Sequence, residues 1–450
     1  MTSTFKITLT IAMFYAGLSL QKDLPAIAMV GLCMWAMRGP DQAIQSLTLG
    51  GLIKFLNPAL YPDLRTASML GWVLLAVAGG RIGISALNRR GWGSPVLFWL
   101  VVFGLVVLLH SATVSRQGVL SAFKIVSFVF GATTVLLAFQ SSATRKVDWT
   151  SWFVGLWSAV VLLSVPTVFF PSIGYLKNGW GFQGILGHPQ SLGAFLAVAV
   201  AWFGARMILY PLAQTHWMLV LVGCFAWVEL ILTKARTGLL AVLVGLACVA
   251  VLAVVKRYEW RQQFFSAVRK PLVLLVLLIV VTMILLDPST LENRVEGYIF
   301  KHGHDAKSSI TDAYTKSRGA GLSNQWQNFL RSPLVGHGFG ITPYNDPDAV
   351  QLLDPIFGLP LSAPTEKGFL PTAILEETGI VGAAFLLLLL GSLFRFASGR
   401  GNSAVMWSFY TSILVNVGEM VFFSFGGLGL YTWLIMGWAS NSQSGAADET

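Results

Sequence analysis

Apolar runs of about 20 residues, separated by short polar turns, recur along almost the whole chain, and that length lets an α-helix cross the hydrocarbon of a bilayer. Such runs lie near 5–20, 23–37, 43–57, 66–87, 95–111, 118–139, 149–170, 190–210, 216–234, 236–256, 271–287, 369–395, 403–423 and 427–440. A backbone in lipid must satisfy its own polar groups, so successive spans of this kind fold as helices. The expected fold is therefore all-α, a polytopic transmembrane helical bundle of about 12–14 helices. Composition agrees: 55% of residues are apolar and only 11% are charged, against about a quarter charged in soluble domains.

The net charge of +10 does not form a recognition face for nucleic acid. Its basic residues gather in alternate loops, at Arg89 and Arg90, Arg145 and Lys146, Lys256 to Lys270, and Arg395 and Arg400. By the positive-inside rule these loops are cytoplasmic. Both termini then fall on the cytoplasmic side, and the first apolar run, which has no small-residue cleavage site after it, reads as a retained span. Cys33, Cys224 and Cys248 all lie in apolar runs and read as small core residues.

Three regions follow. Residues 1–287 form transmembrane helices, 288–368 form a large extracytoplasmic loop, and 369–450 form the last helices and a cytoplasmic tail. The loop is the one sizeable polar piece, and long ordered loops are often functional. Its basic residues, Arg294, Lys301, Lys307, Lys316, Arg318 and Arg331, precede a half without Lys or Arg that carries Asp346, Asp348 and Asp354. Five prolines between 343 and 364 oppose a regular helix there.

Several groups have the chemistry of a site. Lys234 and Arg236 sit between two apolar runs on the side disfavoured for positive charge, a placement that an anion would offset; a snorkelling helix end is the bland alternative. Arg318 precedes an expected helix over 322–330 that carries Trp326, where the ring either faces a sugar or anchors the helix. His188 opens a helix ahead of Pro189, and His337 lies in the glycine-rich run Ser332 to Gly340. No histidine pair has the i, i+4 spacing of a zinc site, which argues against a catalytic metal. Glu366 and Lys367 stand before a helix that carries Glu376 and Glu377 about two turns in, and Glu229 and Glu419 are further carboxylates inside apolar runs. Intramembrane carboxylates are functional suspects.

Arg236-Thr237-Gly238, Arg318 with Trp326, the run Ser332-Pro333-Leu334-Val335-Gly336-His337-Gly338, the segment Glu377-Thr378-Gly379-Ile380-Val381-Gly382, and Gly187-His188-Pro189-Gln190 together resemble the O-antigen ligase and polysaccharide polymerase superfamily. The resemblance covers about 187–382. It implies a metal-independent, cofactor-free inverting glycosyltransferase of the bacterial cytoplasmic (inner) membrane, acting on the periplasmic side on a glycan carried by undecaprenyl diphosphate. Arg236 and Arg318 are then the diphosphate-binding cations, with Lys234 and Lys367 as further ones, while Trp326, His188 and Glu377 would contact glycan or acceptor. The ligases carry a His eleven positions before the glycine that matches Gly379. This chain has Gly368-Phe369 there, so Glu366 is the preferred catalytic base and His337 the next. That departure favours a polymerase of O-antigen or exopolysaccharide repeat units over a ligase acting on lipid A-core, with membrane lipids and a chain-length-determining co-polymerase as partners. A polysaccharide or lipid-linked sugar transporter is the competing class, expected to show broken helices.

Overall fold

The computed structural model describes residues 2–61, 64–87, 94–140, 147–177, 179–211, 216–256, 258–268, 270, 320–341, 367–398 and 402–441. Within them the chain is all-α. The elements are α1 (Thr2–Leu18), α2 (Leu24–Ala36), α3 (Pro40–Ile53), α4 (Arg65–Leu87), α5 (Pro95–Thr113), α6 (Gly118–Gln140), α7 (Trp149–Ser164), the short α8 (Pro171–Gly174), α9 (Pro189–Ile208), α10 (Trp217–Leu232), α11 (Arg236–Lys256), α12 (Tyr258–Val268), α13 (Ala320–Arg331), α14 (Leu370–Ser398), α15 (Ser403–Leu414) and α16 (Leu428–Asn441). Helices α4, α5, α6, α9, α11, α14, and α7 with its 3-10 continuation to Phe169 are long and apolar enough to cross a membrane, and α1, α2, α10 and α15 are shorter apolar helices. The protein is a polytopic membrane protein.

The starts follow local chemistry. Asp148 accepts from Thr150 and Ser151 N–H, Ser94 from Val96 N–H, and Asn402 from Val405 N–H, each relieving backbone donors that a first turn leaves unpaired. Proline opens α3, α5 and α9, where its missing N–H costs nothing. Among the seven helices of membrane-crossing length the most enclosed are α9 and α7, which bury Trp157, Phe195 and Phe203 completely or almost so. Buried indoles find acceptors: Trp157 Nε1 donates to Tyr431 Oη at 2.6 Å, Trp407 to the Val242 carbonyl at 2.8 Å and Trp433 to the Phe422 carbonyl at 3.0 Å. With no water in lipid to take over, such bonds specify one packing.

Backbone hydrogen bonds join several turns at one end of the bundle. Gly187 N–H donates to Phe55 O at 2.6 Å, Asn57 N–H to Ile185 O at 2.8 Å, and Phe182 N–H to Leu232 O at 3.0 Å. Two expectations need correction. The span expected over 403–423 stops at Leu414, continues as a 3-10 turn to Val417, and gives way at Gly418 to an irregular segment before α16. The basic stretch after α11 was expected as a loop, but residues 258–268 form α12, which buries Trp260 and Ala267 and exposes Arg261 and Phe265. The expected span 271–287 and most of the polar insert lie outside the described residues.

Candidate functional site

Helix α14 is interrupted at Gly379, whose φ of 64° and ψ of −167° leave the helical region. An interruption strands backbone groups on both sides, and buried groups of this kind need partners. The loop after α13 supplies them. His337 N–H donates to Glu376 O at 3.0 Å and Gly338 N–H to Glu377 O at 2.9 Å, while Ile380 and Val381 N–H donate to the Pro333 and Leu334 carbonyls at 2.9 and 3.2 Å. The approach requires glycine on both segments. A β-carbon on Gly336 (φ +70°) would come within 2.5 Å of the Glu377 carbonyl carbon, and one on Gly379 within 2.3 Å of the Leu334 carbonyl oxygen. Two runs far apart in sequence, 332–340 and 376–382, thus form one unit.

The charges at this break are paired. Lys367 Nζ lies 2.9 Å from Glu376 Oε2 and 2.9 Å from Glu377 Oε1, with all three side chains buried. The other oxygens are also used: Asn328 Nδ2 donates to Glu376 Oε1 at 2.7 Å and Gly340 N–H to Glu377 Oε2 at 2.8 Å. Asn328 belongs to the buried face of α13 with Gln325 and Phe329, at i, i+3, i+4 spacing. Gln325 donates to the Lys367 carbonyl at 2.8 Å and accepts from the Thr372 hydroxyl. His337 Nε2 lies 2.8 Å from the Asn328 carbonyl. A carbonyl only accepts, so Nε2 carries the hydrogen, and in the neutral ring Nδ1 holds the lone pair.

Beside this unit is a cavity of about 530 Å³. Its wall comes from α4 (Trp72), α6 (Phe123, Lys124, Ser127), the start of α9 (His188, Gln190, Ser191), the 332–341 loop (Phe339, Gly340, Ile341), Lys367, Glu377, and the irregular segment before α16 (Glu419, Phe423, Phe425). Lys124 Nζ donates to the Gly340 carbonyl at 2.6 Å, and Lys54 Nζ stands 5.4 Å from the Trp72 ring centre.

The structure gathers some of the sequence candidates here and not others. His188, Lys367 and Glu377 line the cavity; His188 Nδ1 accepts from Gln190 N–H at 3.1 Å as the cap of α9. Lys367, expected to bind phosphate, has its charge balanced by two carboxylates. Arg236 is the first residue of α11; a β-carbon on Gly418 would meet the next residue, Thr237, at 2.4 Å, so this helix start abuts the segment that carries Glu419. Lys234 adopts a φ of 56°, rare for a residue with a side chain. Its ammonium sits 3.5 Å over the Trp180 ring, and partial desolvation lowers its pKa. Trp326 is 48% exposed and Phe329 is the buried anchor of α13. Glu229 is buried, and among the described residues no hydrogen bond reaches either of its carboxylate oxygens. Glu366 and Arg318 lie outside the described residues. Lys124, Trp72 and Asn328 were not singled out; a lysine inside the apolar run 118–139 was the available signal for the first.

No protein-family model and no curated protein matches this chain. Fold and site together define an all-α polytopic membrane protein with a cavity beside an interrupted helix.

Proposed function

We propose that the protein is a metal-independent inverting glycosyltransferase that polymerises undecaprenyl-diphosphate-linked oligosaccharide repeat units at the periplasmic face of the inner membrane. The observation that carries this reading is the union of the 332–338 and 377–382 runs, both part of the family resemblance, against a cavity large enough for a bound molecule. His188, from a third such run, lines the same cavity. In the proposed reaction a base, Glu366 or His337 Nδ1, takes the proton of the acceptor hydroxyl, and the oxygen attacks the anomeric carbon. The diphosphate leaves, with fixed cations, Arg236 and Arg318, stabilising its charge. Lys367 is assigned to holding the break of α14 rather than to phosphate.

The test is turnover of purified protein with a lipid-linked repeat unit, with and without chelator, resolved by product length. A chelator-resistant ladder is expected, falling about 100-fold or more in Arg236→Ala and in Arg318→Ala. A single transfer that requires lipid A-core would replace polymerase by ligase. A transporter is the second reading, favoured by the interruption of α14 at Gly379, since broken helices often frame transport sites. Movement of the intact lipid-linked glycan across a vesicle bilayer without glycosidic bond formation would establish it.

A further inference from the structure

Lys124, Lys367, Glu376 and Glu377 beside the cavity sum to zero charge, and Glu419 adds a further carboxylate. Lys367 is held by Glu376 and Glu377, a group with one negative charge in excess, and Lys124 supplies the balancing positive charge. Gly340 couples them, giving its N–H to Glu377 Oε2 at 2.8 Å and taking the Lys124 ammonium on its carbonyl at 2.6 Å. Glu419 adds a second carboxylate to the wall beside Glu377. The rest of the described wall is neutral: short polar groups on Ser127, Gln190 and Ser191, and rings on Trp72, Phe123 and Phe339. Hydroxyls and amides both donate and accept, which suits a ligand carrying many hydroxyls, and rings cover the apolar C–H faces such a ligand also presents. An acidic ligand would face the Glu377 and Glu419 carboxylates, and of the two described wall cations Lys367 is already held between carboxylates, so the ligand's charge would go largely uncompensated.

We propose that this cavity is an oligosaccharide subsite selective for uncharged sugars, rejecting uronic acids and other acidic residues. The inference rests on the glycosyltransferase reading and specifies its substrate: the sugar beside the α14 break is neutral, and the diphosphate anion lies elsewhere, toward the start of α11.

The test measures binding of free neutral tri- and tetrasaccharides of glucose and galactose, and of their uronate counterparts, to full-length protein in nanodiscs by equilibrium dialysis. Neutral oligomers should bind at least about tenfold tighter than the matching uronates, with little dependence on salt because no ion pair forms. Trp72→Ala should weaken the neutral oligomers about tenfold. Lys124→Met, which removes one positive charge from the wall, should depress the uronates further and favour glucosamine oligomers, with neutral binding retained. Equal or tighter uronate binding, no neutral binding above the uronate level, or neutral binding untouched by Trp72→Ala each overturns the proposal. Glycan transfer without neutral selectivity would remove this inference and leave the enzyme reading standing; selective binding without transfer would do the reverse.

Discussion

Lys367 carries more of the site's stability than its single charge suggests, because its ammonium sits between two buried carboxylates 2.9 Å away on either side. Removing one partner of a buried ionic group strands the others. Lys367→Met is expected to cost about 3–5 kcal/mol, read as a lowered unfolding midpoint in mixed micelles. Replacing Glu376 and Glu377 by Gln in the same chain should recover much of that loss, since no carboxylate of the group is then left without its cation. If Lys367 were instead a phosphate cation with little structural role, the methionine variant would unfold like wild type and lose only activity. Asn328 gives an independent check: it holds Glu376 Oε1 at 2.7 Å, and Asn328→Leu should destabilise by about 1–3 kcal/mol through one unsatisfied oxygen.

At the scale of elements, the break in α14 and the 332–341 loop depend on each other. Gly379→Ala places a side chain at φ 64° and against the Leu334 backbone. Backbone strain alone should cost about 1–3 kcal/mol, and the same holds for Gly336→Ala at φ +70°. Because both substitutions disturb one contact, the double variant should cost less than the two separate losses combined, a departure from additivity measurable in a double-mutant cycle. The long apolar helices were legible in the sequence almost to their ends, since α5, α6 and α11 each fill one uninterrupted apolar run between polar turns. The Gly379 break was not, because a glycine inside an apolar pattern is ordinary in membrane helices and only a loop from elsewhere in the chain turns it into an interruption. The early end of α15 was hidden for a similar reason: residues 418–427 are apolar enough to continue a helix, and they leave it to wall the cavity. Lys124 was not legible as part of the site, because its partner, the Gly340 carbonyl, comes from 216 residues away.

For the whole molecule, the arrangement of ends makes a prediction independent of any assay of activity. The loop joining Pro333 to Gly340, the cavity and the starts of α9, α11 and α14 share one end of the bundle, tied by the Lys124 and Gly340 contact and by the Phe182 and Leu232 bond. At the other end, Lys270 caps the end of α9 through the Ile208 carbonyl at 2.7 Å and the Tyr210 carbonyl, and α12 is fastened to α15 by Ser403 and Gln263 at 2.9 Å. In the proposed orientation, read from the basic residues of the sequence by the positive-inside rule, that end is the cytoplasmic one. After replacing Cys33, Cys224 and Cys248 by Ala or Ser, single cysteines at the exposed positions Ser323 on α13 and Ser266 on α12 test the assignment. A membrane-impermeant maleimide added to intact cells whose outer membrane admits it should label Ser323→Cys at once and Ser266→Cys only after the inner membrane is opened. The reverse pattern would put the cavity in the cytoplasm, where a periplasmic polymerase could not work, and would remove the proposed activity together with its sidedness. Labelling of both from outside would mean that one of the two helices does not lie at the end assigned to it.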